Sequence, residues 1–523
     1  MSYKNAKWID LENPFSGGYV DNTPSFTLAD NLSSYLRNAR FDWQAIKIRP
    51  WHNLLATLTT WAFPKWIGSY LRASSANDVM VVRHAQDTNK ELVTITAAGV
   101  VTDISTSTDI ASTNRMSFLN VWDVIYCMNW SDDFGKLSAT TYTTPSTWIA
   151  NFAPSFSVDF SSSHWASGWS TNSNIVYKSV WNDYEDFSSA WSDQFTFAEQ
   201  VTSLSDNNKT LLVFTPNTIS TIDLWDYDET NWLVTYNSDS IQAKEGTNIN
   251  ATTVTVWVNT YYYTPSKKIN QITRWVNNDW FETFELSERK YKGISKIMST
   301  LADDQSDAFG YFVEKENLIK WFFKTVWSSI NDICIVYDLT KNAWLIDEQK
   351  YFYGWIGFKW KNYTISTVEP KVYEDEINQD DEDAGIPFEY QTKDFTLWDP
   401  TIKKILWEAR AFTKINELAE LIQEIYIDDR LVDTKTIDKD NIEPLPAWIW
   451  VKPIWTFPIW TWWFEDSDDL QEVIILRTKW NLNVKWKKIR FRYTCSTFAA
   501  KVQLEDLKMK VEVLDPLTNS LTV

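Results

Sequence analysis

The chain has 523 residues, 44% of them hydrophobic and 23% charged, with a net charge of −20. That length and apolar content support a sizeable core and exclude a disordered chain. The acidic balance excludes a broad, sequence-independent grip on nucleic acid, because such a surface repels phosphate.

No apolar run reaches the roughly 18 residues a spanning helix needs, so no membrane span is expected. The N-terminal stretch MSYKNAKWIDLENPFSGG lacks the apolar centre of a secretory signal. A protein made in a cytoplasm and soluble there is expected.

In chain order, residues 1–30 are polar and turn-rich, with SGG and NTPS, and read as an extended arm. NLSSYLRNARFD (31–42) reads as either a short helix or an extended lead-in, and AIKIRPWH as a strand ending in a turn. From residue 67 a pattern recurs of strands four to eight residues long, with turn signals every 8–12 residues. IGSYLRAS, DVMVVRHA, ELVTITAA and VVTDIS form a first group, and MSFLNVW, DVIYCMN and KLSATTY a second. A third runs from NIVYKSV to TISTIDL, a fourth from TVTVWVN to FETFELS, and a fifth from DAFGYFVE to AWLIDEQK. A sixth is YFYGWIGF, NYTISTV and KVYEDE. Small antiparallel sheets of this kind cannot bury both faces alone and stack around an axis. The expectation is an all-β protein with a β-propeller of about six to seven blades over 31–385.

Near residue 385 the pattern changes to longer alternating strands, TIKKILWEARAFTK, ELIQEIYIDDRLV, EVIILRTKW, KKIRFRYTCS and QLEDLKMKVEVL. These predict a C-terminal β-sandwich-like module over 386–523. Between them, LPAWIWVKPIWTFPIWTWW (445–463) reads as a loop.

Chemical motifs are sparse. Cys127, Cys334 and Cys495 have no short-range partner and read as isolated thiols. His52, His84 and His164 lack HExxH or His-x-His spacing. The acidic run Asp380-Asp381-Glu382-Asp383-Ala384-Gly385 lacks the alternating ligands of a Ca²⁺ loop and reads as a solvated turn. There is no GxGxxG, Walker loop or GxSxG elbow. No catalytic, cofactor-binding or metal-binding residue is assigned, no cofactor is called for, and an enzyme is not expected.

Tryptophan is overfull at 32 and glycine scarce at 12, where average usage of about 7% would give roughly 37 glycines. Trp43, Trp130, Trp232 and Trp280 follow Asn or Asp where strand patterns break, and Asn-Gly and Asp-Gly are the strongest hairpin signals. RPWH, KWIGS, NVWDVIY and TKWN also read more naturally with glycine. This pattern predicts UGA codons read as glycine in the producing cell, with Trp43, Trp130, Trp232 and Trp280 at exposed or strained turns. Trp344 in KNAWLIDE reads as a genuine tryptophan.

Several segments resemble β-propeller structural proteins of the tailed-bacteriophage neck and tail, of the packaged-DNA stabilisation type. They are NARFDWQAIKIRPWH, GSYLRASSANDVMVVRH, NVWDVIYCMNWSDDFGKL, ICIVYDLTKNAWLIDE and IPFEYQTKDFTLWDPTIKKI, scattered over 38–404. The resemblance implies a virion structural protein assembled in the host cytoplasm, in an oligomeric ring or plug around the DNA channel. Its partners would be other neck and tail proteins and further copies of itself, with encapsidated DNA met only in passage. The family carries no catalytic residues. The competing expectation is a carbohydrate-active or receptor-binding propeller, which requires an aromatic and acidic groove.

Overall fold

The computed structural model describes residues 7–513, apart from 11–16, 71–78, 105–114, 379–385, 397–403, 439–473 and gaps of four residues or fewer. Among the described residues the regular secondary structure is nearly all strand, and the sheets fall into two kinds.

Seven sheets are four-stranded and antiparallel. Their first strands are Phe63–Tyr70, Ser117–Val121, Phe156–Phe160, Ser203–Asn207, Val254–Val256, Phe309–Val313 and Phe352–Phe358. Each first strand packs beside the next, and the last packs beside the first, so the sheets close into a ring as a β-propeller. The first sheet begins at Phe63, and the other six follow in chain order. The seventh has three strands from 352–378, and Trp51–Thr57 pairs with Lys371–Asn378 as its fourth. The chain therefore closes its own ring by lending an early strand to the last sheet, which removes an open edge.

The sequence predicts RPWH as a turn, yet Trp51 and His52 open this strand. Pro50 stands between Ala45–Ile48 and Trp51–Thr57 and separates the two strands. The third predicted group also divides. IVYK joins a sheet begun by Phe156–Phe160 and Ser163–Ser167, and TLLVF joins one begun by Ser203–Asn207. SHWAS and SLSDN are polar strands without a β-branched run, and so carry little strand signal.

Burial explains why the propeller strands read as they do. Leu318–Phe323 and Ile333–Asp338 are buried at every residue, because neighbouring sheets cover both of their faces. Leu421–Ile427 and Ile489–Cys495 alternate buried and half-buried residues, the mark of a sheet with one covered face.

Those two strands belong to the second kind of sheet. A five-stranded sheet runs Ser33–Arg37, Phe388–Thr392, Ile489–Cys495, Leu421–Ile427 and Arg430–Ile437. A six-stranded sheet contains Ala39–Asp42, Ala45–Ile48, Val502–Val513, Lys404–Ile415 and Ile474–Trp486, and Lys7–Asp10 also pairs with Val502–Val513. Their inner faces share one core, where Trp480 of one sheet meets Phe491 of the other at 6.0 Å between ring centroids. This is the sandwich-like module.

The expected boundaries place 1–30 as an arm and 31–385 in the propeller, whereas strand pairing draws 7–10 and 33–48 into the C-terminal sheets. The described part of the lead-in forms the strands Ser33–Arg37 and Ala39–Asp42, and it is not helical. The acidic run at 380–385 and the Pro/Trp segment at 445–463 lie outside the described residues.

Candidate functional site: the propeller–sandwich junction and the axial face

Asn38 lies between Ser33–Arg37 and Ala39–Asp42 with a left-handed φ of 51°, a conformation Asn tolerates. Its amide N–H donates to Ile346 O at 2.8 Å. Its side-chain oxygen accepts from Glu348 N at 3.0 Å and from Arg49 Nε at 2.9 Å. Its side-chain nitrogen donates to Pro387 O at 2.7 Å. One short residue thus ties the N-terminal lead-in to the outer strand of the sixth sheet and to the entry of the sandwich.

Charge reinforces the same joint. Arg40 donates Nη1 to Asp347 Oδ1 at 2.9 Å and Nη2 to Asp347 Oδ2 at 2.7 Å, with both side chains buried. Arg49 lies 3.8 Å from the same carboxylate. Arg37 pairs with Glu348 at 2.8 Å, and burial still raises the Glu348 carboxyl above its usual range. Two-point Arg–carboxylate pairs fix angle as well as distance, so this joint is stiff.

Residues 17–21 and 25–29 add a strap. Tyr19 N donates to Trp344 O at 2.8 Å, and Ser33 N donates to Gly18 O at 3.0 Å. Asp21 accepts from Lys296 N at 3.0 Å and Ile297 N at 2.8 Å, at the start of the short helix Ser295–Ser299. Burial raises the Asp21 carboxyl despite those two donors. Lys393 Nζ of the sandwich donates to Leu28 O at 2.7 Å. A depression of about 120 Å³ lies beside the strap, lined by Gly18, Tyr19, Leu32, Lys292, Asn342 and Trp344 among others.

At the end of the propeller where the first strands begin, Arg115 crosses the axis. It precedes the first strand of the second sheet and donates Nη1 to Ala308 O at 2.9 Å, just before the first strand of the sixth. Those two sheets are not neighbours in the ring. Asp307 accepts the Tyr353 hydroxyl and lies 3.5 Å from Lys324 Nζ. Desolvation pulls the Arg115 guanidinium down to about 10, against the attraction of Tyr353 and Asp307. The opening on this face is bridged by side chains.

The sequence singles out few chemical residues, and their placement is structural. Cys127, Cys334 and Cys495 are buried and form no disulfide, and burial raises the Cys495 thiol. His52 is buried against Phe352 and Tyr373. His84 lies within Val79–Ala85. His164 is buried among Tyr126, Phe134, Tyr184 and Phe187, and its Nδ1 lies 3.1 Å from Tyr184 O. Among the described residues no group of three His, Cys, Asp or Glu is placed to hold a metal ion. No helix among them is long and apolar enough to cross a membrane. Sequence reading missed Asn38, Arg40, Arg49 and Arg115, whose roles depend on partners hundreds of residues away.

The four turn tryptophans separate. Trp130 sits in a turn at φ 57° and is exposed. Trp280 begins the strand Trp280–Glu285 opposite Trp275, not a turn. Trp43 and Trp232 lie outside the described residues. KWIGS and TKWN fall inside strands, and Trp480 is fully buried.

No protein family matches the sequence, and no curated protein is similar to it. Similar solved structures include the computationally designed Ika8 protein, at 8% identity over 62% of this chain and 100% of that chain, TM-score 0.37. YCF48 bound to D1 peptide matches at 9% identity over 66% of this chain and 98% of that chain, TM-score 0.40. The Cps50 (Swd1) β-propeller domain of Myceliophteria thermophila matches at 8% identity over 62% and 100%, TM-score 0.41. At these values the likeness lends this chain no activity or partner.

Proposed function

We propose that the chain is a structural protein of a virus particle, placed at the neck or tail of a tailed bacteriophage. It assembles in the host cytoplasm with further copies of itself and with other neck and tail proteins, as part of a ring or plug around the DNA channel. The observation that supports this reading is the stiff joint between propeller and sandwich, with Asn38, Arg40 and Asp347 at its centre. A ring component must hold two docking bodies at one angle under load, and buried two-point ion pairs serve that need better than apolar sliding contacts. Because Arg115 bridges the propeller axis, a DNA channel in this reading is bounded by several copies and is not bored through one propeller. The charge of −20 suits a wall past which DNA slides without sticking.

The test is quantitative proteomics of purified particles, with immunogold labelling and the oligomeric state of the isolated chain. The expected result is the chain at fixed copy number at the head–tail region and a ring in solution. Absence from particles, or a monomer that cleaves or binds glycans, overturns the proposal.

A further inference from the structure

Among the described residues, the exposed tryptophans are Trp130, Trp181, Trp257 and Trp327. All four stand in turns or bends. Trp257 is 70% exposed and Trp327 is 91% exposed. They belong to the second, third, fifth and sixth sheets, so they do not gather into one aromatic platform.

In two of the four the backbone is as unusual as the exposure. Trp130 and Trp257 have φ of 57° and 54°. The other non-glycine residues described with positive φ are Asn, Asp, Ser and one Lys. Trp257 and Val258 alone link Val254–Val256 to Asn259–Tyr263, and Trp257 takes the first position of this two-residue connection. That is where a hairpin of type I′ or II′ demands positive φ, which glycine meets without steric cost and a bulky side chain does not. Trp181 precedes Asn182, at φ 59°, in the turn between Ile175–Lys178 and Asp193–Thr196.

A second set behaves oppositely. Trp165 and Trp321 are fully buried and donate Nε1 to Phe160 O and Thr252 O, each at 3.0 Å. Trp344 is buried with its ring centroid 4.6 Å from that of Tyr337. These three fill space that glycine would leave empty.

We infer that Trp130, Trp181, Trp257 and Trp327 are encoded by UGA codons that the producing cell reads as glycine, while Trp165, Trp321 and Trp344 are tryptophan. The inference is independent of the virion reading. It removes the four exposed indoles as stacking platforms for sugars and as apolar docking anchors.

Two measurements test it. In tandem mass spectrometry of protein from the native particle or cell, peptides spanning 130, 181, 257 and 327 should be lighter by the exchange of tryptophan for glycine. Peptides containing Trp165, Trp321 and Trp344 should keep the indole mass. Tryptophan at all four turn positions overturns the inference. In the full recombinant chain, the combined change Trp130→Gly, Trp181→Gly, Trp257→Gly and Trp327→Gly should hold or raise Tm, and Trp165→Gly should lower it sharply. A fall in Tm on the fourfold change also counts against it.

Discussion

Lys320 Nζ and Asp375 Oδ2 lie 2.6 Å apart with neither side chain exposed, the lysine from the sixth sheet and the aspartate from the seventh. Tyr311 donates its hydroxyl to the same carboxylate oxygen at 2.5 Å. Asp375 sits on Lys371–Asn378, the strand that also receives Trp51–Thr57. The ion pair therefore joins the sheet completed by the early strand to its neighbour.

Removing one partner of this pair strands a charge in the interior. Asp375→Ala should destabilise the protein by about 3–5 kcal/mol. The double change Lys320→Met with Asp375→Leu should restore most of that, because it buries no charge. Denaturant midpoints of the two single variants and the double variant check this. Equal losses in single and double variants would refute the coupling.

The junction pair makes a different prediction, about cooperativity. With Arg40 and Asp347 intact, propeller and sandwich should melt as one unit in calorimetry. Arg40→Met leaves Asp347 buried without its two-point partner, at a cost of about 3–5 kcal/mol. The single transition should then split in two, the sandwich core separating from the propeller.

His164 supplies a pH dependence. Desolvation holds its imidazole down at about 4, from an ordinary value of 6.5. Above pH 6.5 the ring is neutral in both folded and unfolded chains. As pH falls below 6.5 the unfolded chain takes up a proton first, so stability drops until the folded ring also titrates near 4. The loss is about 3 kcal/mol over that window. Unfolding free energy measured from pH 8 to pH 4 should show the slope, and His164→Gln should flatten it.

The strap rests on a close backbone approach. A Cβ at Gly18 would stand 2.7 Å from Trp344 N, Trp344 O and Ala343 Cβ. Gly18→Ala should lift the strap off the sixth sheet at a cost of about 1–3 kcal/mol. Hydrogen exchange at Tyr19 N, which donates to Trp344 O, should speed up while core amides of the sixth sheet keep their protection.

The sequence by itself determined most strands. ICIVYD and LIKWFF read as strands, and the structure buries every residue of both between neighbouring sheets, while the period-two alternation of LIQEIYI matches its one covered face. Turn chemistry marked hairpins and put Trp130 in a turn, while the buried Trp480 and the strand position of Trp280 escaped the same reasoning. The reason is that a Trp/Gly count is blind to whether the space around a side chain is filled.

Only the tertiary structure decided which strands share a sheet. Ser33–Arg37 pairs with Phe388–Thr392, and Trp51–Thr57 pairs with Lys371–Asn378, across more than 300 residues of chain. Backbone hydrogen bonds carry no residue code, so a strand's periodicity says which face is buried but not which partner covers its edge. The same holds for Arg40 and Asp347: each alone reads as a surface charge, and only the closed ring and its attached sandwich bring them together away from water.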